Sequence, residues 1–404
     1  MKRVLIVGGS LGGLFAANLL HRAGWDVQVV ERVADELSER GAGIVTHAEL
    51  LGALERLGIP VDRDIGVEVS SRVTLDRAGN VVGERSHPQI LTAWSRLYSL
   101  LKQALPADRY MTGKNLSAVV EQDSKVIAHF SDNTHAEADL LVGADGIRST
   151  VRNQFLPEVK PQYAGYVAWR GLVEESQLSL RTRESLFGHF GFCLPPREQM
   201  LGYPVAGAHD ATEPGKRRYN FVWYRPADEA ELRRLSTDDN GKVHENGIPP
   251  PLISKAVMRE IRTVADSVLA PQFAEIVAST PQSFFQPIFD LESPRLAFGR
   301  VVLLGDSAFV ARPHCGMGVT KAAGDAIALT DLMTEFGIDE GLKRYNETRI
   351  AFGSRIVTHA RHLGAYMQAQ LLTAEERAMA ERYRTAEAVM KETAVSPSFV
   401  QAHS

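Results

Sequence analysis

Three places along the chain set an acid and bare glycine backbone at the end of an apolar run. The first is GGSLGG at 8–13, which follows RVLIV at 3–7 and precedes Glu31. It matches the glycine fingerprint G-x-G-x-x-G, with Ser10 in the middle place. Gly8 permits a tight turn, Gly13 permits close packing of helix on strand, and the helix start offers free amides to a pyrophosphate. Ser10 keeps the site small and adds a hydroxyl. Leu11 shares the turn, and Arg32 follows the acid. Glu31 falls about twenty residues along, where a carboxylate accepts both ribose hydroxyls of an adenosine. The pattern favours FAD or NAD over NADP at this turn.

The second place is GADGIRSTVR at 143–152, with Asp145, Gly146, Ser149 and Arg152 in the pattern D-G-x-x-S-x-x-R. Arg152 stands seven residues after Asp145, so a helix starting at the turn puts both on one side. The plain structural reading is a helix capped by Asp145 or Ser149, with Arg152 in solvent. The third place is GDSAFVARPHCGMGVTK at 305–321, after the apolar VVLL at 301–304. Asp306 at a strand end is placed to accept a bond from a polyol hydroxyl. Pro313 stiffens the loop, and Gly316 and Gly318, flanking Met317, let backbone approach a flat ring with its amides exposed. A helix over 319–333 points its positive end there, suiting a ring that carries negative charge, as reduced flavin does.

These residues need elements to hold them. The spacing predicts a strand at 3–7, a helix at 12–23 and a strand at 26–31, with further parallel strands at 140–145 and 301–306. One parallel sheet is therefore assembled from separated segments. Residues 160–290 alternate apolar and polar positions between turn signals and read as a largely antiparallel sheet. Residues 73–90, with a turn at RAGN, add strands to it. The stretch from 340 to about 392 is helical, and the last dozen residues read as a frayed tail.

Composition sets the limits. The chain has 404 residues, 44% of them hydrophobic, and a formal net charge of −4. That is enough apolar material for a large core in two parts. No basic stripe suggests nucleic acid as a partner. The two cysteines, Cys193 and Cys315, show no metal-ligand or disulfide spacing, which points to a reducing cytoplasm. The N-terminus has the basic start and apolar run of an export signal, but four glycines interrupt the run and favour strand, turn and helix. No apolar run reaches membrane-spanning length.

Taken in order, GGSLGG with Glu31, DGIRS with Arg152, and GDSAFVARPHCGMG resemble the group A flavoprotein aromatic hydroxylases, the para-hydroxybenzoate hydroxylase family. The resemblance runs from Lys2 to about Gly364. It implies that Gly8, Ser10, Gly13 and Glu31 bind the ADP part of FAD. Asp145, Gly146 and Arg152 serve FAD and NAD(P)H, and Asp306, Pro313, Gly316 and Gly318 hold the ribityl chain and ring. Gly43 and Ile44, in RGAGIV, match a loop that passes the flavin. Within the family, GAGIVTHAEL, YAGYVAWRG, YPVAG, NFVWY and ARPH look most like dihydroxypyridine hydroxylases. Phe309, Met317 and Thr320 depart from the histidine, glutamine and asparagine that many members carry. Trp94 stands where many have an arginine near the phosphates, with Arg96 as the candidate substitute.

The resemblance implies an α/β protein, α+β overall, with a Rossmann-like FAD-binding domain, a mostly antiparallel substrate domain and a C-terminal helical segment. The expected boundaries are 1–72, 91–158 and 285–355 for the first, 73–90 and 159–284 for the second, and 356–404 for the third. FAD is the implied cofactor, NADH or NADPH and O2 the co-substrates, and a homodimer the family expectation. The implied reaction passes through a flavin C4a-hydroperoxide that an electron-rich, hydroxylated ring attacks. His47, Tyr203, Tyr224, Arg170 and His314 are the polar groups that could orient such a ring. His47 reads either as a base of near-neutral pKa or as a surface or capping residue. His314 reads as ordering its loop, Trp169, Trp223 and Tyr224 as sheet core, Arg170 as solvated or salt-bridged, and Cys315 as packing. Other readings are a hydroxybenzoate-type hydroxylase, an FAD oxidase or halogenase, and a non-catalytic flavin-binding protein. A halogenase would carry a W-x-W-x-I stretch, which the sequence lacks.

Overall fold

A computed structural model describes residues 1–35, 43–61, 65–122, 124–245 and 247–401. Gly41 and Ala42 of the flavin-side loop lie outside the described residues. The apolar runs at 3–7, 140–143 and 301–303 have no polar alternation because they are buried on both faces. They form adjacent strands of a six-stranded sheet ordered Ala297–Phe298, Val301–Leu303, Leu140–Gly143, Arg3–Val7, Asp26–Val30, Tyr110–Met111. All neighbours are parallel except the edge pair at 297–303. The glycine turn and the two acid-bearing turns therefore leave the same end of one sheet, side by side, although they are far apart in sequence.

A nine-stranded sheet runs Phe309–Val310, Phe284–Glu292, Gln162–Glu174, Arg218–Pro226, Gln199–Val205, His189–Cys193, Val67–Leu75, Val81–Ala93, Gly43–Val45. Its pairs are antiparallel except His189–Cys193 with Val67–Leu75. The hairpin expected at RAGN is present, closed by Asp76, whose carboxylate accepts the Asn80 amide at 2.8 Å. The strand Val67–Leu75 runs through the expected boundary at 72, since its pairing with Val81–Ala93 continues to Val67. A small third sheet, Leu116–Gln122, Lys125–Phe130 and His135–Ala138, was not foreseen.

Strand alternation divides the large sheet's two faces. Trp169, Phe221 and Trp223 pack against the helices Lys255–Val268 and Pro271–Ser279. Val257, Ile261 and Ala265 form the inward stripe of the first. Tyr166, Tyr203 and Tyr224 lie on the opposite face, with Cys315, Met317, Ile356 and Leu363. The helix that follows the third motif spans Gly318–Gly364 and breaks at Gly337, whose φ is +77°. No helix among the described residues is long and apolar enough to cross a membrane.

The frayed tail is corrected. The chain beyond the helix Ala386–Glu392 docks back on the molecule because Arg72, fully buried, needs acceptors. Its guanidinium donates to the carbonyls of Met390 (3.0 Å), Thr393 and Ala394 (3.1 Å) and to Gln89 Oε1 (2.9 Å). The Ala394 amide donates to the His314 carbonyl at 2.7 Å, and the Ser396 hydroxyl to Glu49 at 2.8 Å.

Candidate active site

The turn at 8–13 is built by close contact. A Cβ on Gly8, where φ is +108°, would lie 2.3 Å from the Ala144 carbonyl oxygen, and one on Gly13 would lie 1.9 Å from the Gly8 carbonyl oxygen. Gly8 thus joins the first motif to the second, and Gly13 seats the helix Leu11–Arg22 on its strand. Ser10 stands at the helix N-cap, where its side chain makes no hydrogen bond among the described residues, and it lines a cavity. That cavity is lined by Gly8, Ser10, Glu31, Arg32, Asp145 and Gly146 among others. Glu31 accepts the amides of Gly9 (2.8 Å) and Val33 (2.9 Å), which fixes its carboxylate and leaves lone pairs for hydroxyls. Leu11 packs its side chain into the core and not into the cavity.

Asp145 accepts the amides of Thr150 (2.6 Å) and Val151 (3.2 Å), while Ser149 caps the helix Thr150–Phe155. Two expectations change here. The helix starts at Thr150 and not at the turn, and Arg152 is buried instead of solvated. Arg152 donates to the carbonyls of Ile147 (2.6 Å) and Ser307 (3.2 Å), so it ties the second motif to the third. Burial lowers its pKa and raises that of Asp145.

In the third motif, Ser307 knits the turn by accepting the Leu304 amide at 3.1 Å, and Asp325 accepts the Gly305 amide at 3.0 Å. Asp306 is exposed and makes no hydrogen bond among the described residues. Although its side chain reaches solvent, the protein packed around the carboxyl desolvates it and raises its pKa, with the Lys321 charge opposing and the Asp325 charge adding. Pro313–Cys315 form one tight turn, and Gly316 follows at φ +68°. The expected use of Gly316 is revised. A Cβ there would meet His47 Cε1 at 3.2 Å, Val45 Cβ at 3.3 Å and Ala394 Cα at 3.6 Å, so its bare backbone accommodates protein. A Cβ on Gly318 would meet nothing within 4 Å, so of these two glycines it is Gly318 that has open space beside it.

The polar groups of the inner sheet face converge on this loop. His314 is buried, its Nε2 lies 2.7 Å from the Tyr166 hydroxyl, and its ring centroid is 4.4 Å from that of Tyr224. Tyr203 packs on Phe190 at 4.9 Å, and a Cβ on Gly43 would lie 2.4 Å from the Tyr203 ring. Gly43 donates to Asn220 at 3.2 Å, and Ile44 continues the strand that pairs with Leu91–Ala93. Burial raises the hydroxyl pKa of Tyr203, and that of Tyr224 to about 12. The Cys315 thiol is pushed up to about 11, which agrees with a packing role.

His47 is neither near-neutral nor on the surface, and it stands, as the capping reading had it, at the N-cap of the helix Ala48–Arg56, though its side chain makes no capping bond. It is 5% exposed, its Nδ1 lies 3.1 Å from Thr320 Oγ1, and its Nε2 is buried without a partner among the described residues. Burial lowers its pKa to about 4 and that of His314 to about 3, so both imidazoles are neutral at pH 7. The unfolded chain protonates both near pH 6.5, and the folded chain resists until those lower values. The contribution of these two histidines to stability is therefore full above about pH 6.5 and falls as pH drops toward 4, with a limiting slope of about 2.7 kcal/mol per pH unit from their two protons. Unfolding free energies measured in urea across this range should fall with pH, His87 and His359 adding to the same trend, and His47→Gln should remove about one proton's share of the slope, about 1.4 kcal/mol per pH unit.

Other placements were not legible. Arg96 pairs with Asp210 at 3.0 Å and does not line the cavity around the glycine turn. Trp94 lines that cavity, stacked on Tyr98 at 5.0 Å. Lys114, which sequence reasoning missed, lines it as well and pairs with Asp132 at 2.6 Å. Lys114 precedes the unforeseen small sheet, and no local pattern marks it.

These features fit FAD: a glycine cradle that admits no side chain, a fixed acid for the ribose, and an unbonded Asp306 for the ribityl chain. The family described as FAD binding domain-like matches residues 163–290. The 2,6-dihydroxypyridine 3-monooxygenase of Paenarthrobacter nicotinovorans is 34% identical over 82% of this chain and 83% of its own. The 6-hydroxynicotinate 3-monooxygenase of Bordetella bronchiseptica is 27% identical over 88% of this chain and 89% of its own. The solved 2,6-dihydroxypyridine-3-hydroxylase from Arthrobacter nicotinovorans superposes with a TM-score of 0.85 at 30% identity, covering 94% of this chain and 96% of that one. Klebsiella pneumoniae HpxO, solved with FAD and uric acid, shares the fold with a TM-score of 0.76 at 22% identity, over 97% and 93%. The chain belongs to the FAD-dependent aromatic monooxygenases, enzymes that use NAD(P)H to hydroxylate a ring.

Proposed function

We propose that this enzyme hydroxylates a small oxygenated nitrogen heterocycle, a dihydroxypyridine in the first instance, with NAD(P)H and O2. The observation that carries the reading is the meeting of the Pro313–Gly318 loop, through His314, with a sheet face bearing Tyr166, Tyr203 and Tyr224, closed from the other side by His47. FAD, when bound, supplies the activation of O2. The chain's own residues hold the ring, exclude water and keep its electron-donating oxygens effective. Neutral His47 and His314 do not return a proton to an ionised ring hydroxyl, while the tyrosine hydroxyls can donate to it. The 34% identity to a dihydroxypyridine monooxygenase supports the pyridine assignment. Cys193 and Cys315, both buried and free, support the cytoplasmic location.

The test is NADH and NADPH consumption against product formation with 2,6-dihydroxypyridine, 6-hydroxynicotinate and 3-amino-4-hydroxybenzoate. Coupled product from a hydroxypyridine is expected. Product from the benzoate alone would defeat the pyridine assignment.

A further inference from the structure

Arg170 sits in the strand Gln162–Glu174 between positions that point to both sides. Tyr166 and Ala168 face the site, Trp169 faces the helices, and the alternation puts Arg170 on the site face. It stands opposite Val222, two positions from Tyr224 along the neighbouring strand. It is only partly exposed, and its Nε is buried without a partner. No hydrogen bond or ion pair to Arg170 occurs among the described residues. Other inward arginines have acceptors for their terminal nitrogens: Arg312 binds Asp290 at 2.8 Å, Arg217 binds Glu175 at 2.8 Å, and Arg72 holds the C-terminal segment although its Nε, like that of Arg170, has no partner among the described residues. The hydroxyls of Tyr203 and Tyr224 likewise have no hydrogen bond among the described residues, and the Arg170 charge acts on both.

We propose that Arg170 is the substrate's anion anchor, so that the enzyme binds its ring as an anion and selects against neutral analogues. This rests on the aromatic-ring reading above. A half-buried guanidinium lacking a counter-charge is costly to desolvate, and an ionised ring oxygen offsets that cost with charge-assisted bonds. Tyr203 and Tyr224 would donate to the oxygens of the same ring, which makes three donor groups and no carboxylate. Such a set recognises a hydroxypyridine or phenol in its deprotonated form. The neutral imidazoles of His47 and His314 add no competing cation.

The test titrates the FAD-loaded protein with 2,6-dihydroxypyridine and with 2,6-dimethoxypyridine, following the flavin absorbance. Arg170→Gln should raise the Kd of the dihydroxy ring by about tenfold or more and leave that of the dimethoxy ring within about twofold. Arg170→Lys, which keeps the charge and loses the fork, should fall between. FAD content should match the unmodified protein in both variants. Equal weakening of both probes, or no weakening of the charged one, would overturn the assignment. If the unmodified protein binds 4-hydroxybenzoate and not the pyridine, the pyridine reading fails alone. Arg170 is then judged with 4-hydroxybenzoate against 4-methoxybenzoate, which cannot ionise at the ring oxygen. A protein that binds no anionic ring defeats both.

Discussion

Gly8→Ala yields a protein that no longer retains FAD through purification. The added Cβ would lie 2.3 Å from the Ala144 carbonyl oxygen and 2.9 Å from Asp145 Cα, and both are backbone atoms that no rotamer change can move. The φ of +108° adds strain for any residue with a side chain, about 1–3 kcal/mol. Relief requires the first turn to move away from the second, and forced packing of this kind costs about 1–3 kcal/mol more. The shift opens the cradle between the Gly8–Ser10 turn and Asp145, which line the same cavity. At about 1.4 kcal/mol per factor of ten, FAD affinity falls by ~100-fold. Flavin absorbance per mole of purified protein and a titration of apoprotein with FAD measure this. A variant that keeps a full complement of FAD with unchanged affinity would show that the two turns can separate without harm.

Arg72→Met releases the C-terminal segment. Methionine fills much of the space but leaves the carbonyls of Met390, Thr393 and Ala394 without the donor that holds them. Removing one partner of a buried charged network costs about 3–5 kcal/mol, part of it because the remaining groups stay buried and unsatisfied. Gln89 still reaches the Ala394 carbonyl at 3.1 Å, so the lower end, about 3 kcal/mol, is expected. Amide hydrogen exchange over 386–401 should then quicken by ~100-fold while the parallel sheet exchanges as before. Ala394 also covers Gly316 and bonds to His314, so freeing it admits water to the site. NAD(P)H oxidation should become less coupled to product, with peroxide as the measured excess. Unchanged exchange in the segment would mean that Val400 and Ser396 hold it without Arg72.

The sequence was a good guide where one short stretch does a complete job. Gly13 is required by the Gly8 carbonyl of its own turn, Gly8 by the positive φ of that turn, and Glu31 is fixed by Gly9 and Val33, so spacing alone located the dinucleotide site, although the contact of Gly8 with Ala144 did not show in it. The parallel strands were legible because burial on both faces leaves an unbroken apolar run. His47 was legible as a candidate but not in its state. Its pKa depends on burial under Gly316 and Thr320, which arrive from about 270 residues away. Arg72 and Lys114 carried no signal, because an arginine that holds carbonyls in the last twenty residues looks like any strand arginine.

By itself the sequence determined the cofactor turn, the sheet class and the order of the three motifs, since these follow from local backbone demands and from periodicity. Only the tertiary structure decided that the C-terminal segment closes the site and that Gly316 admits protein contacts. It alone placed Arg170 on the sheet face of Tyr166 and Tyr224 with no ion-pair partner among the described residues. Those facts depend on which distant groups share a buried space, and burial sets both the cost of a charge and the need for a partner.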